Sequence, residues 1–304
     1  MIAKLEEKRC IVFGANGYIG RHLVHFLLQA KNDVLAFDVQ DKQLNPIINY
    51  EVTDISDSMS LQGIDWNVDF VFIFAGITGT YDGFDSYGKF VKVNEIGLLN
   101  ILNGIRKSNF RPRIVFPSTR LVYKGSAKAL KEDDVKDPKT IYAINKLACE
   151  SYLEAYKNSF DISYTTYRIC VPYGNIFGSD YSYGTVGAFI SQAKNNSIIK
   201  LYGDGSLRRT FSHVKDICQQ IIFSCSDEKA RNQIFNASGE DFSLKEVATI
   251  IAEKYNAKLN FTEWAEKDLY IESGNTVFDA SKLQKICQIS IDNGIIDWVK
   301  KIVL

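Results

Sequence analysis

Apolar positions fall in two alternating patterns along the first half of the chain. Short, nearly unbroken apolar runs at residues 10–13, 34–37, 47–52, 68–75, 113–116 and 162–169 predict strands. Between them, apolar residues recur at helical spacing, as in Ile19, Leu23, Phe26, Leu27 and Ala30, and again over 95–107 and 141–157. Strands without polar alternation are buried on both faces. Separated by helices, they predict an α/β fold: a doubly wound parallel sheet of the Rossmann type.

The texture changes beyond Cys170. Residues 172–185 are rich in Gly, Tyr and Ser, residues 198–202 and 233–236 read as strands, and Gly203-Asp204-Gly205-Ser206 reads as a turn. Ser243 and Glu246 form a capping-box pattern ahead of a helical run over 247–255. These features predict a dinucleotide-binding domain over 1–171 that carries the catalytic residues. A small substrate-binding part follows over 172–270, with some elements returning to the main sheet, and a C-terminal segment over 271–304.

Composition narrows the partners. The 304 residues are 46% hydrophobic and 24% charged with zero formal net charge, which gives no electrostatic case for nucleic acid or an acidic membrane. Any phosphate binding must be local. The N-terminus lacks the apolar stretch of a signal peptide, and no apolar run approaches the ~20 residues of a membrane span, so the expected address is the cytoplasm. Six cysteines, at 10, 149, 170, 218, 225 and 287, contain no Cys-x-x-Cys pair and read as core residues. No cluster of His, Cys and Asp has ligand spacing, so no metal is expected.

Gly14-Ala15-Asn16-Gly17-Tyr18-Ile19-Gly20 follows a predicted strand and opens a predicted helix. Glycines in that context allow a tight turn and close approach of backbone to a pyrophosphate, whose charge is favoured at the helix N-terminus. Asp38 ends the next strand, 18 residues beyond Gly20, where a carboxylate accepts both ribose hydroxyls and repels a 2′-phosphate. NAD is therefore favoured over NADP, although Lys42 nearby leaves the phosphate question open. Tyr142 and Lys146 lie four apart in a helical run, which puts an ammonium beside a phenol. Bringing a tyrosine from a pKa near ~10 to about 7 needs roughly 4 kcal/mol, which a close lysine and a bound dinucleotide cation could supply.

With these pieces together, nearly the whole chain resembles the extended short-chain dehydrogenase/reductase family, specifically its NAD-dependent nucleotide-sugar epimerases and dehydratases. The resemblance implies cofactor roles for Gly14, Gly17, Tyr18, Ile19 and Gly20, for Asp38, for the adenine-side pair Asp54 and Ile55, for Phe74-Ala75-Gly76 after the fourth strand, and for Asn94. Thr119 matches the family's catalytic serine or threonine, with Tyr142 as proton-transfer group and Lys146 as its partner at the nicotinamide ribose. Arg209, in Arg208-Arg209-Thr210-Phe211-Ser212-His213-Val214-Lys215-Asp216, matches the family's phosphate-contacting arginine, and Thr78 and Thr119 are implied on the sugar side. His213 reads as structural. The implied partner is a nucleotide-diphosphate sugar, the implied assembly a homodimer, and the commonest setting polysaccharide precursor synthesis.

Three positions depart from the family pattern. Val171 stands where many members have an asparagine, Tyr270 where a second phosphate-side arginine is expected, and Thr78 where some epimerases carry another polar group. Dehydratases of the family typically carry acidic residues directly after the catalytic threonine, and here those positions are Arg120 and Leu121. Without a carboxylate to take the C5 proton, 4,6-dehydration is disfavoured, and decarboxylation loses support similarly. The expected reaction is 4-epimerisation by transient C4 oxidation and hydride return. A 4-keto-sugar reductase uses the same residues, and a non-catalytic dinucleotide-binding regulator is the remaining alternative.

Overall fold

The computed structural model describes residues 5–41, 49–178, 183–287 and 294–302. Two compact units emerge, and the chain passes between them several times: Tyr123–Asp137 joins the second unit well before the change expected near 172, and Ile221–Phe235 belongs to the first. One unit runs to Val122 and includes Pro138–Arg168 and Ile221–Phe235; the other comprises Tyr123–Asp137, Ile169–Gln220 and the chain from Asn236 onward.

The first unit is built on strands β1 (Arg9–Phe13), β2 (Asp33–Asp38), β3 (Asn49–Val52), β4 (Phe70–Ile73), β5 (Arg113–Thr119) and β6 (Tyr164–Ile169). After β7 (Val171–Tyr173), β8 (Ile198–Tyr202) and β9 (Arg208–His213), strand β10 (Gln233–Asn236) completes the same sheet. Its order is β10-β6-β5-β4-β1-β2-β3, with β1 parallel to both β2 and β4. The order reverses at β1 and β4, the switch point where doubly wound sheets bind ligands beyond the carboxyl ends of their strands.

Both faces of the central strands are buried, which is why they read as continuous apolar runs. On one face Ile11, Phe13, Val71, Ile73, Ile114 and Phe116 pack with Leu98, Ile101, Leu102 and Ile105 of helix Gly97–Lys107 and with Cys149 and Leu153 of helix Ile141–Phe160. Each such side chain, fully buried, stabilises the fold by about 1.5–3 kcal/mol.

Several boundaries differ from the expected ones for local reasons. The strand expected over 68–75 spans Phe70–Ile73; on its N-terminal side Val68 N–H turns back to the Trp66 carbonyl at 2.8 Å. Positions 47 and 48 of the expected third strand, and Lys42, lie outside the described residues. The helix expected from 95 begins instead at Gly97, and Val91–Ile96 form a wider π-helical turn before it. Helix Ile141–Phe160 runs three residues beyond expectation and ends at Asp161, whose φ of 55° breaks the helical path.

The second unit contains a three-stranded sheet, β11-β9-β7, in which β11 (Glu240–Ser243) is antiparallel and β7 parallel to β9. Strand β12 (Lys258–Thr262) pairs with β8, on which helices Gly184–Asn196 and Leu244–Tyr255 pack. The capping box is present: Ser243 Oγ accepts from Glu246 N–H at 3.1 Å, and Glu246 Oε2 accepts from Ser243 N–H at 2.6 Å. All six cysteines are buried and none forms a disulfide. Among the described residues no helix is long and apolar enough to cross a membrane.

Candidate active site

The glycine turn leaves the end of β1 with almost no spare room. Gly14 has a φ of 82°, and a Cβ on it would lie 2.3 Å from the backbone nitrogen of Ala75; a Cβ on Gly20 would lie 2.0 Å from the Gly14 carbonyl oxygen. The N–H groups of Gly14 and Ala15 both donate to the Phe37 carbonyl, at 2.8 and 3.1 Å, so the turn is stitched to β2. Helix Tyr18–Gln29 then starts at Gly17 without a side-chain cap and without an acidic residue in its first turn. Its opening amides carry the partial positive charge of the helix end, so the cradle fits a pyrophosphate. Tyr18 and Ile19, in that first turn, are half-buried.

Asp38 stands at the end of β2, where one carboxylate oxygen accepts from Asn16 N–H at 2.9 Å and the other from Gln40 N–H at 3.2 Å. Asn16 Nδ2 in turn donates to the Tyr50 hydroxyl at 2.8 Å. Asn16 and Tyr50 were not singled out from sequence; the position of Asn16 between Gly14 and Gly17 was the available signal. Asp54 accepts from Ser56 N–H at 2.9 Å, while the buried Ile55 offers its carbonyl to Asn100 at 2.9 Å. After β4, Phe74 and Ala75 are half-buried and Gly76 and Thr78 exposed. Asn94, buried in the π-helical turn, closes a two-bond clasp on Ile77, accepting from its N–H at 2.9 Å and donating to its carbonyl at 3.1 Å.

Thr119 is the last residue of β5, buried, its Oγ1 accepting from Leu121 N–H at 3.3 Å; Arg120–Val122 turn away as a single 3₁₀ turn. Thr140 caps helix Ile141–Phe160 by accepting from Ala143 N–H at 3.1 Å, which fixes Tyr142 in the first turn. Lys146 lies one turn on and is buried. Its Nζ donates to the Pro117 carbonyl at 2.8 Å and lies 4.4 Å from the Phe116 ring centre and 6.0 Å from that of Tyr142. Burial disfavours the ammonium and lowers the Lys146 pKa to about 8, against the opposing influence of Cys149 and Glu150. One unit of the structure thus carries the glycine cradle, Asp38, Asn94, Thr119, Tyr142 and Lys146.

Arg209 belongs to the second unit. It is buried and ion-paired: its Nη2 donates to Glu272 Oε1 at 2.5 Å, and its Nη1 donates to the carbonyls of Arg208 at 2.9 Å and Gly274 at 2.5 Å. Nothing in the sequence pattern pointed to Glu272 as its partner. Val171 opens β7, and Tyr270 is exposed, its hydroxyl donating to Glu266 at 2.9 Å. His213 is buried, with Nδ1 accepting from Lys215 N–H at 3.2 Å.

A doubly wound sheet with an uncapped glycine cradle, a carboxylate at the end of β2 and a Tyr-Lys pair beside β5 defines a dinucleotide-dependent enzyme of the short-chain dehydrogenase type. Residues 10–238 match the NAD dependent epimerase/dehydratase family, and the chain belongs to that family, with NAD as cofactor. Among its relatives is a UDP-N-acetyl-alpha-D-glucosaminuronate decarboxylase of Bacillus cytotoxicus, 26% identical over 324 residues, covering 97% of this chain and 99% of the relative. A UDP-glucuronate 4-epimerase of Thermodesulfobacterium geofontis is 25% identical, covering 96% of each chain. In fold the chain is similar to a UDP-glucose 4-epimerase of Thermus thermophilus solved with NAD, at a TM-score of 0.81 and 22% identity, covering 97% of this chain and 100% of the other.

Proposed function

We propose that this protein is a nucleotide-diphosphate-sugar 4-epimerase. The observation that carries the reading is the pairing of Tyr142 and Lys146 beside a β5 terminus where Thr119 is followed by Arg120 and Leu121 rather than by a carboxylate. Tyr142 takes the proton of the C4 hydroxyl, and Thr119 hydrogen-bonds the same oxygen as it becomes a carbonyl. Lys146 orients the nicotinamide ribose and, while protonated, favours the phenolate. NAD held by Gly14, Gly17, Tyr18, Ile19, Gly20, Asp38, Asp54, Ile55, Phe74, Ala75, Gly76 and Asn94 supplies a hydride acceptor that can return the hydride. Inversion at C4 needs nothing further from these side chains than return of the proton to the C4 oxygen, once the sugar has turned its opposite face to the returning hydride.

The test is to supply UDP-, GDP- and dTDP-hexoses deuterated at C4 without added reduced cofactor and to follow products by NMR. A C4-inverted sugar that keeps its label is the expected result. No inversion, with stoichiometric oxidation of added NADH or NADPH by a 4-keto sugar, would instead identify a reductase. Release of carbon dioxide from a uronic acid nucleotide would identify the decarboxylation named for the Bacillus relative.

Arg209 is proposed to contact the diphosphate, Thr78 the sugar side. A guanidinium suits a diphosphate through its planar fork of donors, and binding would have to exchange for bonds that Arg209 makes to Glu272 and the Gly274 carbonyl; on that reading Arg209→Ala should raise KM for the sugar nucleotide about 10- to 100-fold and change kcat less. An unchanged KM would remove that assignment. A homodimer in the cytoplasm completes the proposal; a single-chain mass by light scattering, or recovery with the membrane fraction, would count against it.

A further inference from the structure

Glu150 lies on the same face of helix Ile141–Phe160 as Tyr142 and Lys146, one turn beyond the lysine, and is buried. Its carboxylate is bound from two strands. Arg168 on β6 approaches it side-on with one edge of the guanidinium, Nε to Oε1 at 2.9 Å and Nη2 to Oε2 at 2.6 Å, and Ser118 Oγ on β5 donates to Oε1 at 2.5 Å. Side-chain exposure of the ion pair is only 3% for Arg168 and 4% for Glu150. Such a pair is weak as a source of stability, because desolvating two charges offsets most of their attraction. Its geometry is more informative. Pro117 is tied to the helix through Lys146 and Ser118 through Glu150, and the next residue is Thr119, the end of the strand.

We propose that Glu150 is a positioning residue: through Ser118 it sets the end of β5, and so Thr119, against the helix face that carries Tyr142 and Lys146. The inference rests on the catalytic reading of those three residues given above. Two consequences separate it from a purely structural role. The first is geometric: loss of the Ser118 tether lets the Thr119 hydroxyl drift relative to Tyr142, and a misplacement of about 1 Å can cost ~10²-fold in rate. The second is electrostatic. Lys146 is faced by Cys149 and Glu150 from its own helix, by the Phe116 ring and the Pro117 carbonyl from β5, and by the Tyr142 ring. Beyond these, Arg168 faces Glu150 from β6, and Glu95 faces Cys149 and holds Asn145 at 2.5 Å. Cys149 and Glu150 both oppose the burial that lowers the pKa of Lys146, and of the two Glu150 is the carboxylate. Neutralising it leaves the positive Arg168 behind and lowers the pKa of Lys146 further, so activity that depends on the ammonium is lost at a lower pH.

The experiment compares Ser118→Ala and Glu150→Gln with the parent and with Tyr142→Phe, using the C4-deuterated hexose nucleotide that the parent turns over. Ser118→Ala removes the tether and leaves the ion pair intact, so it tests the geometry even if Glu150→Gln fails to fold. Expected for Ser118→Ala is a kcat about 10- to 100-fold lower with KM within about twofold and an unshifted pH profile. Expected for Glu150→Gln is a similar fall in kcat, with the alkaline limb of the profile moved toward lower pH. A folded Ser118→Ala with parental kcat, beside an inactive Tyr142→Phe, overturns the positioning role alone. A fully active Tyr142→Phe overturns the catalytic reading and this inference together.

Discussion

Tyr142→Phe is expected to lower turnover by about 10² to 10⁴, the range that a positioned proton-transfer group contributes, while leaving NAD affinity within a few-fold of the parent. The phenyl ring keeps its place because Thr140 caps the helix start and Lys146 is anchored independently, by the Pro117 carbonyl at 2.8 Å. Only the hydroxyl is lost. Steady-state rates on the labelled hexose nucleotides, together with calorimetric titration of NAD, separate the two quantities. Near-parental turnover would mean that the Tyr-Lys pair serves packing rather than chemistry.

Gly14→Ala carries the second large effect, this time on the cofactor cradle. The residue has a φ of 82°, which costs a side chain about 1–2 kcal/mol, and the added methyl would sit 2.3 Å from the backbone nitrogen of Ala75. Backbone cannot swing aside as a flexible side chain can, so overpacking adds about 1–3 kcal/mol more. The expected outcome is a Tm lower by roughly 4–10 °C and NAD binding weakened more than tenfold, because the segment Phe74–Gly76 must shift away from the turn. Differential scanning calorimetry and NAD titration check both halves. A variant with unaltered Tm and NAD affinity would show that the turn relaxes without cost.

Much of the first unit was legible because its code is local. A strand buried on both faces must be apolar throughout, so β1, β4 and the start of β5 declare themselves in four or five residues each. The glycine turn and, in the second unit, the Ser243–Glu246 box are likewise written within a single turn of chain. What escaped depends on partners distant in sequence. β9 reads Arg-Arg-Thr-Phe-Ser-His and looks polar, yet from Arg209 on all its residues are buried; their polar groups find acceptors such as Glu272, Gly274 and Ser238. Helical spacing would have put Glu150 on the face of Tyr142 and Lys146, but spacing alone cannot reveal Arg168 or Ser118 waiting on two other strands.

The π-helical turn at Val91–Ile96 has a consequence for angular phase. An α-helix advances about 100° per residue, so every side chain downstream inherits the orientation set upstream. A turn that accommodates an extra residue breaks this inheritance. Asn94 can face inward onto Ile77 while Leu98, Ile101, Leu102 and Ile105 present a separate apolar stripe to the sheet. The wide turn thus acts as a phase shifter between two inward-facing sets that one uninterrupted helix could not orient independently. Excising a single residue there to restore regular winding would rotate one set by about a quarter-turn relative to the other. The clasp on the loop after β4 and the packing of helix Gly97–Lys107 could then no longer both be kept.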